Sequence, residues 1–552
     1  MISTTEIQSF VSSFETRVAP VEKAFGEAWW NLATTGTEEA QEELVRAGNA
    51  YDALFADAEE FERMRGWYEE RGSLQDPLLR RQVEVLYRAF AGKQGDREIL
   101  RNIQELEAEA NATYSNHRGV VDGREIGENE VREVLRSSGD DRLRREAWEA
   151  SKTVGREVEA TVRELARLRN RLAREAGYPD HYHRSLDLQE IGAADLARLM
   201  DELESVTEAP FRDLKSRLDT SVRERFGVES VMPWHLPDPF FQSCKQDPSA
   251  FPRPDSRGGS GSASGDGNGV DVDSFFRDKD LEALTRKTYD NMGLEVRDVM
   301  AKSDLYEREG KSQHAFCLGV GRDYPYDVRV LANVQPDSYW MDTMLHEFGH
   351  AVYDKHINPG LPYFLRSIAH INTTEAIALM MGSLADDPEW LSDIAGVSEA
   401  ELSENREYLH GRDRADKLVF TRWALVMFHF EQALYADPGR EDLNTVWWDL
   451  VERIQLVERP PDRDEPDWAA KIHVATAPVY YHNYVLGHLT AAQLRHYLET
   501  YITHGPFFES EVAGRYLLEA VFGPGARDDW QTTVLRATGE KLNPRYFVES
   551  LG

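Results

Sequence analysis

His346-Glu347-Phe348-Gly349-His350, inside the longer run Asp337-Ser338-Tyr339-Trp340-Met341 to Val352, is the stretch from which the rest of the chain is best read. Residues four apart share one face of an α-helix, so both imidazoles can aim a ring nitrogen at a single ion about 2.0–2.1 Å away. Glu347 then projects beside that ion, where a carboxylate can take a proton from water as it attacks a carbonyl. The pattern predicts metal-assisted peptide-bond hydrolysis. With 16 His in 552 residues, chance alone yields such a pentapeptide in roughly one chain in twenty, so its context has to carry weight. Asp337 and Ser338 after Pro336 form an N-cap, and Trp340, Met341, Met344, Leu345, Phe348 and Val352 recur at helical spacing. The motif therefore belongs to an amphipathic helix with a buried face.

Two residues compete for the third ligand position. His356 has the spacing of HExxHxxGxxH, in which glycine breaks the helix so that the last histidine swings back. Tyr353 occupies the glycine slot here, so the helix is expected to continue and leave His356 as a surface histidine near its end. Glu375 is the better choice. It stands in the second apolar helical run, Asn372 to Met381, with Asn372 or Thr373 as cap, and can meet the first helix across a helix pair. His346, His350 and Glu375 would hold one Zn2+ per chain and leave open the fourth position that catalysis needs. A purely structural zinc site closes with cysteines, and none stands near this pattern.

The secondary-structure signals are mainly α. Candidate helices are Glu130 to Ala176, Ala194 to Arg225 (kinked or broken near Pro210), Asp280 to Met292 and Asp413 to Ala436. Two short strands, Gln313 to Val320 and Tyr326 to Val334, flank a turn at Gly321 to Pro325 and precede the histidine helix. Residues 252–274 are rich in Gly and Ser and cannot bury apolar surface. They are expected to form a mobile insertion within one large domain spanning 1–552.

Asp plus Glu number 98 against 64 Lys plus Arg, a net charge of −34, and only 13 of those basic residues are lysine. That balance disfavours nucleic acid and anionic membranes as partners. An acidic surface that keeps arginine and loses lysine fits a halophilic protein, hydrated in concentrated salt. No apolar run reaches membrane-spanning length and Met1 to Pro20 is no secretion signal, so the expected location is cytoplasmic. Cys244 and Cys317 are read as packing residues.

A second cluster lies in Lys471-Ile472-His473 to Tyr480-Tyr481-His482-Asn483-Tyr484. Amide hydrolysis builds negative charge on the carbonyl oxygen, which imidazole and phenol donors stabilise, and a lysine can hold a substrate carboxylate. The order HExxH, a later Glu-Ala-Ile, Trp447-Trp448, Pro460-Pro461, Lys471-x-His473 and a Tyr-x-x-Tyr pair resembles the angiotensin-converting-enzyme family of zinc peptidyl-dipeptidases. Trp29-Trp30-Asn31, Trp234-His235-Leu236 and His314-Ala315 extend the likeness along the chain, and the thimet oligopeptidases are related. The resemblance implies a two-lobed helical metallopeptidase with a deep central cleft and a small β-hairpin beside the zinc helix. It also implies roles: Glu347 as general base and acid, His473 and Tyr484 at the tetrahedral intermediate, Tyr481 and Lys471 on the substrate's terminal carboxylate. Tyr480 competes with Tyr481, because the tyrosine pair is one residue further from His473 than in the family. His314 and Ala315 would hold the peptide backbone.

Two further departures are visible. Asn483 replaces the arginine usual between the tyrosines, so chloride activation through that position is not expected. Leu379 replaces an aspartate that supports a metal histidine, so that support must come from elsewhere. The expected activity is release of C-terminal dipeptides from short peptides. The alternatives are an oligoendopeptidase of thimet type and a catalytically inactive peptide-binding protein.

Overall fold

The computed structural model describes residues 3–245 and 271–551. Helices dominate, and the described strands form two separate two-stranded sheets. Most of the insertion expected at 252–274 lies outside the described residues; Val272–Phe275 form one helical turn. The chain divides into two compact units.

The first unit comprises Met1–Gln94, Asp271–Leu402 and Leu486–Phe547. Its opening helix, Thr4–Thr35, is capped by Ser3 and ended by Gly36 in the left-handed conformation. Phe10 and Phe14 on that helix pack with Phe55, Trp67 and Phe90 from the helices that follow, and Phe364 stacks on Phe14 from far along the chain. Such aromatic pairing ties the first hundred residues to the segment between the helices that carry His350 and Glu375. The helix Leu281–Asn291, capped by Asp280, matches its expected position.

Strands Phe316–Gly319 and Val328–Leu331 pair antiparallel in the same unit. They are shorter than the sequence suggests, and His314 and Ala315 fall before the first strand. Register fixes which backbone groups stay unpaired. The N–H and C=O of Val330 bond to the Ser303-Asp304 segment, away from the partner strand. Cys317, which pairs with Val330, therefore turns its own N–H and C=O to the open edge of the hairpin.

The second unit comprises Gly95–Val270, Ser403–Val485 and Val548–Gly552. The single helix expected over Glu130 to Ala176 is three: Glu128–Ser137, Asp141–Lys152 and Val154–Glu175. Asp140 caps the second through the Leu143 N–H. Gly155, at the start of the third, lies so close to Pro466 that a Cβ would meet the Pro466 carbonyl at 2.4 Å. Apolar periodicity runs through both breaks, so the cap and the close approach override it. Conversely, Ala193–Phe226 passes Pro210 as one helix where a kink or break is expected. The helix expected from Asp413 begins earlier, at Glu399, and ends at Ala436.

Candidate active site

The histidine helix is Ser338–Lys355. Asp337 caps it by accepting the Trp340 N–H at 2.8 Å, and Asp273 accepts both the N–H and the hydroxyl of Ser338. Met341, Met344, Leu345, Phe348 and Val352 are fully buried, so the amphipathic reading is correct. The glutamate helix is Ile371–Gly382, and its cap is His370, two residues before Asn372, the nearer of the expected ones.

These two helices approach closely at two glycines. A Cβ on Gly349 would sit 2.9 Å from the Ala378 Cα, and one on Gly382 would sit 2.5 Å from the Asp342 carboxylate. Glycine at both positions lets the backbones close, and closure brings Glu375 to the histidines. Gly487 backs onto the Cβ of Glu375 at 3.1 Å from its hypothetical Cβ, which fixes the carboxylate from behind.

His346 Nε2 lies 3.8 Å from Glu375 Oε2, and the two imidazole centroids are 4.9 Å apart. One ligand atom from each of His346, His350 and Glu375 lies within 4.8 Å of the others. Burial lowers the pKa of both imidazoles, with His346 also pushing His350 down, so both rings are held in the neutral, lone-pair-bearing form. Burial lifts Glu375 to about 7. Two neutral imidazoles and one desolvated carboxylate are a donor set that suits a divalent cation such as zinc. The position left empty by Leu379 has a substitute: the Thr374 hydroxyl bonds His350 Nδ1 at 2.7 Å and leaves Nε2 for the ion.

Glu347 is 8% exposed. Burial, and then the neighbouring Glu375, raise its pKa to about 8, while the Cys317 backbone N–H at the open hairpin edge works the other way. That contact gives the hairpin a local role which sequence alone did not suggest. His356 is the helix C-cap and no surface residue: its Nε2 is buried without a hydrogen-bond partner, and burial lowers its pKa to about 4. A histidine one residue past a helix end looks exposed in a linear reading, but the chain after it folds back, with Asn358 bonding the Gly523 carbonyl.

The lysine cluster belongs to the second unit and is described on its own. Lys471 Nζ donates to Gln242 Oε1 at 2.8 Å and faces the rings of Phe240, Trp423 and Tyr481 at 5.5 to 5.9 Å. Burial lowers its pKa to about 8, and Asp238 opposes the shift. Asp238 accepts three N–H groups of its own loop, from Phe240, Gln242 and Ser243, and so fixes Gln242. Sequence reading missed Gln242, and no local pattern marks it. The His473 ring lies 5.1 Å from that of Tyr481, and burial lowers its pKa to about 4, so the imidazole is neutral. The Tyr484 ring lies 5.2 Å from Tyr480 and 5.6 Å from Tyr481. In the first unit His314 is exposed and Ala315 half-buried.

Two family models match this chain. The model described as Peptidase family M3 matches residues 300–552, which hold every residue of both clusters except Gln242 and its loop, and the model described as Angiotensin-converting enzyme matches residues 1–230. The chain is thus similar to peptidases of both descriptions, each over less than half of its length. A curated relative, Carboxypeptidase 1 of Bacillus subtilis (strain 168), is 23% identical over 273 residues, covering 44% of this chain and 53% of that protein. The chain thus spans about half the length of the curated relative it matches. The match divides unexpectedly: the Lys471 to Tyr484 block, which by motif resembles the converting-enzyme family, lies in the part that the M3 model matches. Among the described residues no helix is long and apolar enough to cross a membrane.

Proposed function

We propose that this protein is a zinc metallopeptidase that acts on short peptides and releases dipeptides from their C-termini. The observation that carries the chemistry is the half-buried trio His346, His350 and Glu375 with the buried Glu347 one residue from the first of them. Zinc, when bound, polarises the scissile carbonyl and lowers the pKa of water at the site. Glu347 receives the proton of the attacking water and returns it to the leaving amine; its desolvated setting suits a group that must both accept and release a proton near neutral pH. Thr374 holds His350 in the tautomer that presents Nε2.

His473 and Tyr484 donate to the oxyanion in this reading, and His314 and Ala315 hold the substrate backbone. The dipeptide cut rests on Lys471, Gln242 and Tyr481: an ammonium, an amide and a phenol gathered within one aromatic-walled spot suit a terminal carboxylate. Tyr480 remains a second contact for that end. A second reading is favoured by the M3 match over 300–552: an oligoendopeptidase with the same metal site and no use for the carboxylate anchor. A peptide-binding protein without turnover is the reading from outside enzymology, and an intact Glu347 argues against it.

One experiment separates these readings. A mixed peptide pool is digested by the zinc-loaded protein and the released lengths are read by mass spectrometry, with C-terminally amidated copies alongside. Dipeptides from free C-termini and none from amidated ones support the proposal. Internal fragments from both support the endopeptidase, single residues a carboxypeptidase, and no cleavage the binding protein. Location in the cytoplasm belongs to the same proposal, as does a halophilic setting, supported by the −34 charge and scarce lysine. Full activity and stability in dilute buffer would remove the halophilic part.

A further inference from the structure

The tyrosines of the lysine cluster leave the chain from a turn that two other elements hold in place. Val479, just before Tyr480, has a φ of +54°, a left-handed conformation that a β-branched residue rarely adopts. Its N–H donates to Glu431 Oε1 at 2.7 Å, and its carbonyl accepts from Gln189 Nε2 at 3.3 Å. Both backbone groups of one unfavourable residue are thus gripped by side chains from elsewhere in the unit. Gln189 reaches further: its Oε1 accepts from Asn483 Nδ2 at 2.8 Å and His482 Nε2 at 3.1 Å, tying the first turn of the helix Tyr481–Tyr497 to the same clasp.

Glu431 is 3% exposed, and burying a carboxylate is unfavourable unless it is hydrogen-bonded or paired. Burial lifts its pKa to about 8, and the Val479 N–H and the charge of Arg169 work the other way; Arg169 itself donates to Glu107, to the Ala475 carbonyl and to the Tyr435 hydroxyl. The hydrogen bond to the Val479 N–H, which an oxygen acceptor makes whether or not it is charged, is what Glu431 contributes here.

We propose that Glu431 and Gln189 are positioning residues for the tyrosine pair: they hold Val479 left-handed, and that turn sets the directions of Tyr480, Tyr481 and Tyr484. What the tyrosines do rests on the peptidase reading above; that the turn is clasped does not. Backbone strain kept at one residue by surrounding hydrogen bonds is a means of pre-organising a site.

The test uses zinc-loaded full-length Glu431→Leu, Glu431→Gln and the double variant Glu431→Leu with Val479→Gly. KM and kcat are measured on a peptide with a free C-terminus, and amide hydrogen exchange is followed over residues 475–484. Glu431→Leu is expected to raise KM about tenfold with kcat moved less, and Glu431→Gln, which keeps an acceptor, to stay within about threefold of the parent. Glycine adopts positive φ without a clasp, so Val479→Gly should recover most of the lost KM. A merely structural Glu431 would lower the melting temperature without this rescue. Unchanged KM and exchange in Glu431→Leu, or no recovery in the double variant, overturns the proposal. If Lys471→Ala also leaves KM unchanged, the carboxylate reading falls alone, and exchange over 475–484 still decides the clasp. Should Glu431→Leu fail to fold, Gln189→Leu carries the same measurements.

Discussion

The histidine and glutamate helices of the first unit are brought together by what they lack, and the lysine cluster of the second by what reaches it. In the first, Gly349 and Gly382 remove side chains so that two backbones close, and the buried stripe from Met341 to Val352 seals the pair. In the second, the segment Ala469 to Asn483 is held by buried polar clasps from distant chain: Tyr114 on the Ala469 carbonyl, 355 residues away, Arg169 on the Ala475 carbonyl, 306 away, and Gln189 on Asn483, 294 away. Packing of small residues gives a rigid site that tolerates little added volume. Polar clasps give a site whose geometry depends on each donor and acceptor being present, because a buried partner left unpaired is unfavourable. On the proposed reading, ligand geometry for an ion gains from the first construction, and recognition of a terminal carboxylate from the second.

The comparison breaks most sharply at Glu347. Glu347→Gln keeps size and burial but removes the base, so kcat should fall about a thousandfold or more while bound zinc, read by elemental analysis, stays near one per chain. Loss of zinc together with activity would mean that Glu347 helps to hold the ion. Near-normal turnover would remove the metallopeptidase reading altogether.

Thr374→Val sharpens the same side. It leaves His350 without its Nδ1 partner, and zinc affinity measured by competition with a chelator should weaken about 10- to 100-fold with the fold intact. An unchanged affinity would assign the support of His350 to another group.

That threonine also shows what could be read before any coordinates. The grouping of His346 and His350 beside Glu347 is legible because a helix converts spacing of four into a shared face, and because Asp337 marks where that helix starts. Glu375 followed from a second apolar run. Thr374, directly before it, carries no separate signal, since a hydroxyl in a helix is equally able to bond its own backbone. Gln242 was out of reach: it meets Lys471 across 229 residues, through a loop that Asp238 organises. The breaks at Asp140 and Thr153, and the unbroken helix through Pro210, were misjudged because local periodicity and local breakers are both subject to tertiary packing. His356 was misplaced for the same reason.

The second unit is tested by pH. Lys471 titrates near 8, below the usual lysine range, because it is buried; Asp238 and Glu128 hold its charge up and Arg132 opposes it. Lys471 is charged below that value and neutral above it, so its attraction for a carboxylate is lost as pH rises through about 8. On free C-terminal peptides kcat/KM should therefore decline above pH 8, by up to about tenfold per unit. Lys471→Arg, which stays charged, should flatten that limb, and an amidated peptide should not show it. A limb that persists in Lys471→Arg would assign the titration elsewhere and weaken the anchor.

The smallest expected effect returns to the first unit and asks how far its site depends on the ends of its helices. Asp337→Ala removes the acceptor for the Trp340 N–H, a loss of about 1 kcal/mol that should lower the melting temperature by a few degrees. His346 is more than two turns further along, and the helix start is held a second time by Asp273 on Ser338. If glycine-mediated packing alone sets the ligand geometry, kcat and zinc affinity stay at the parent level in this variant. A fall in zinc affinity larger than the fall in stability would show that the site is also fixed from its helix terminus, and the contrast with the polar clasps of the second unit would narrow to one of degree.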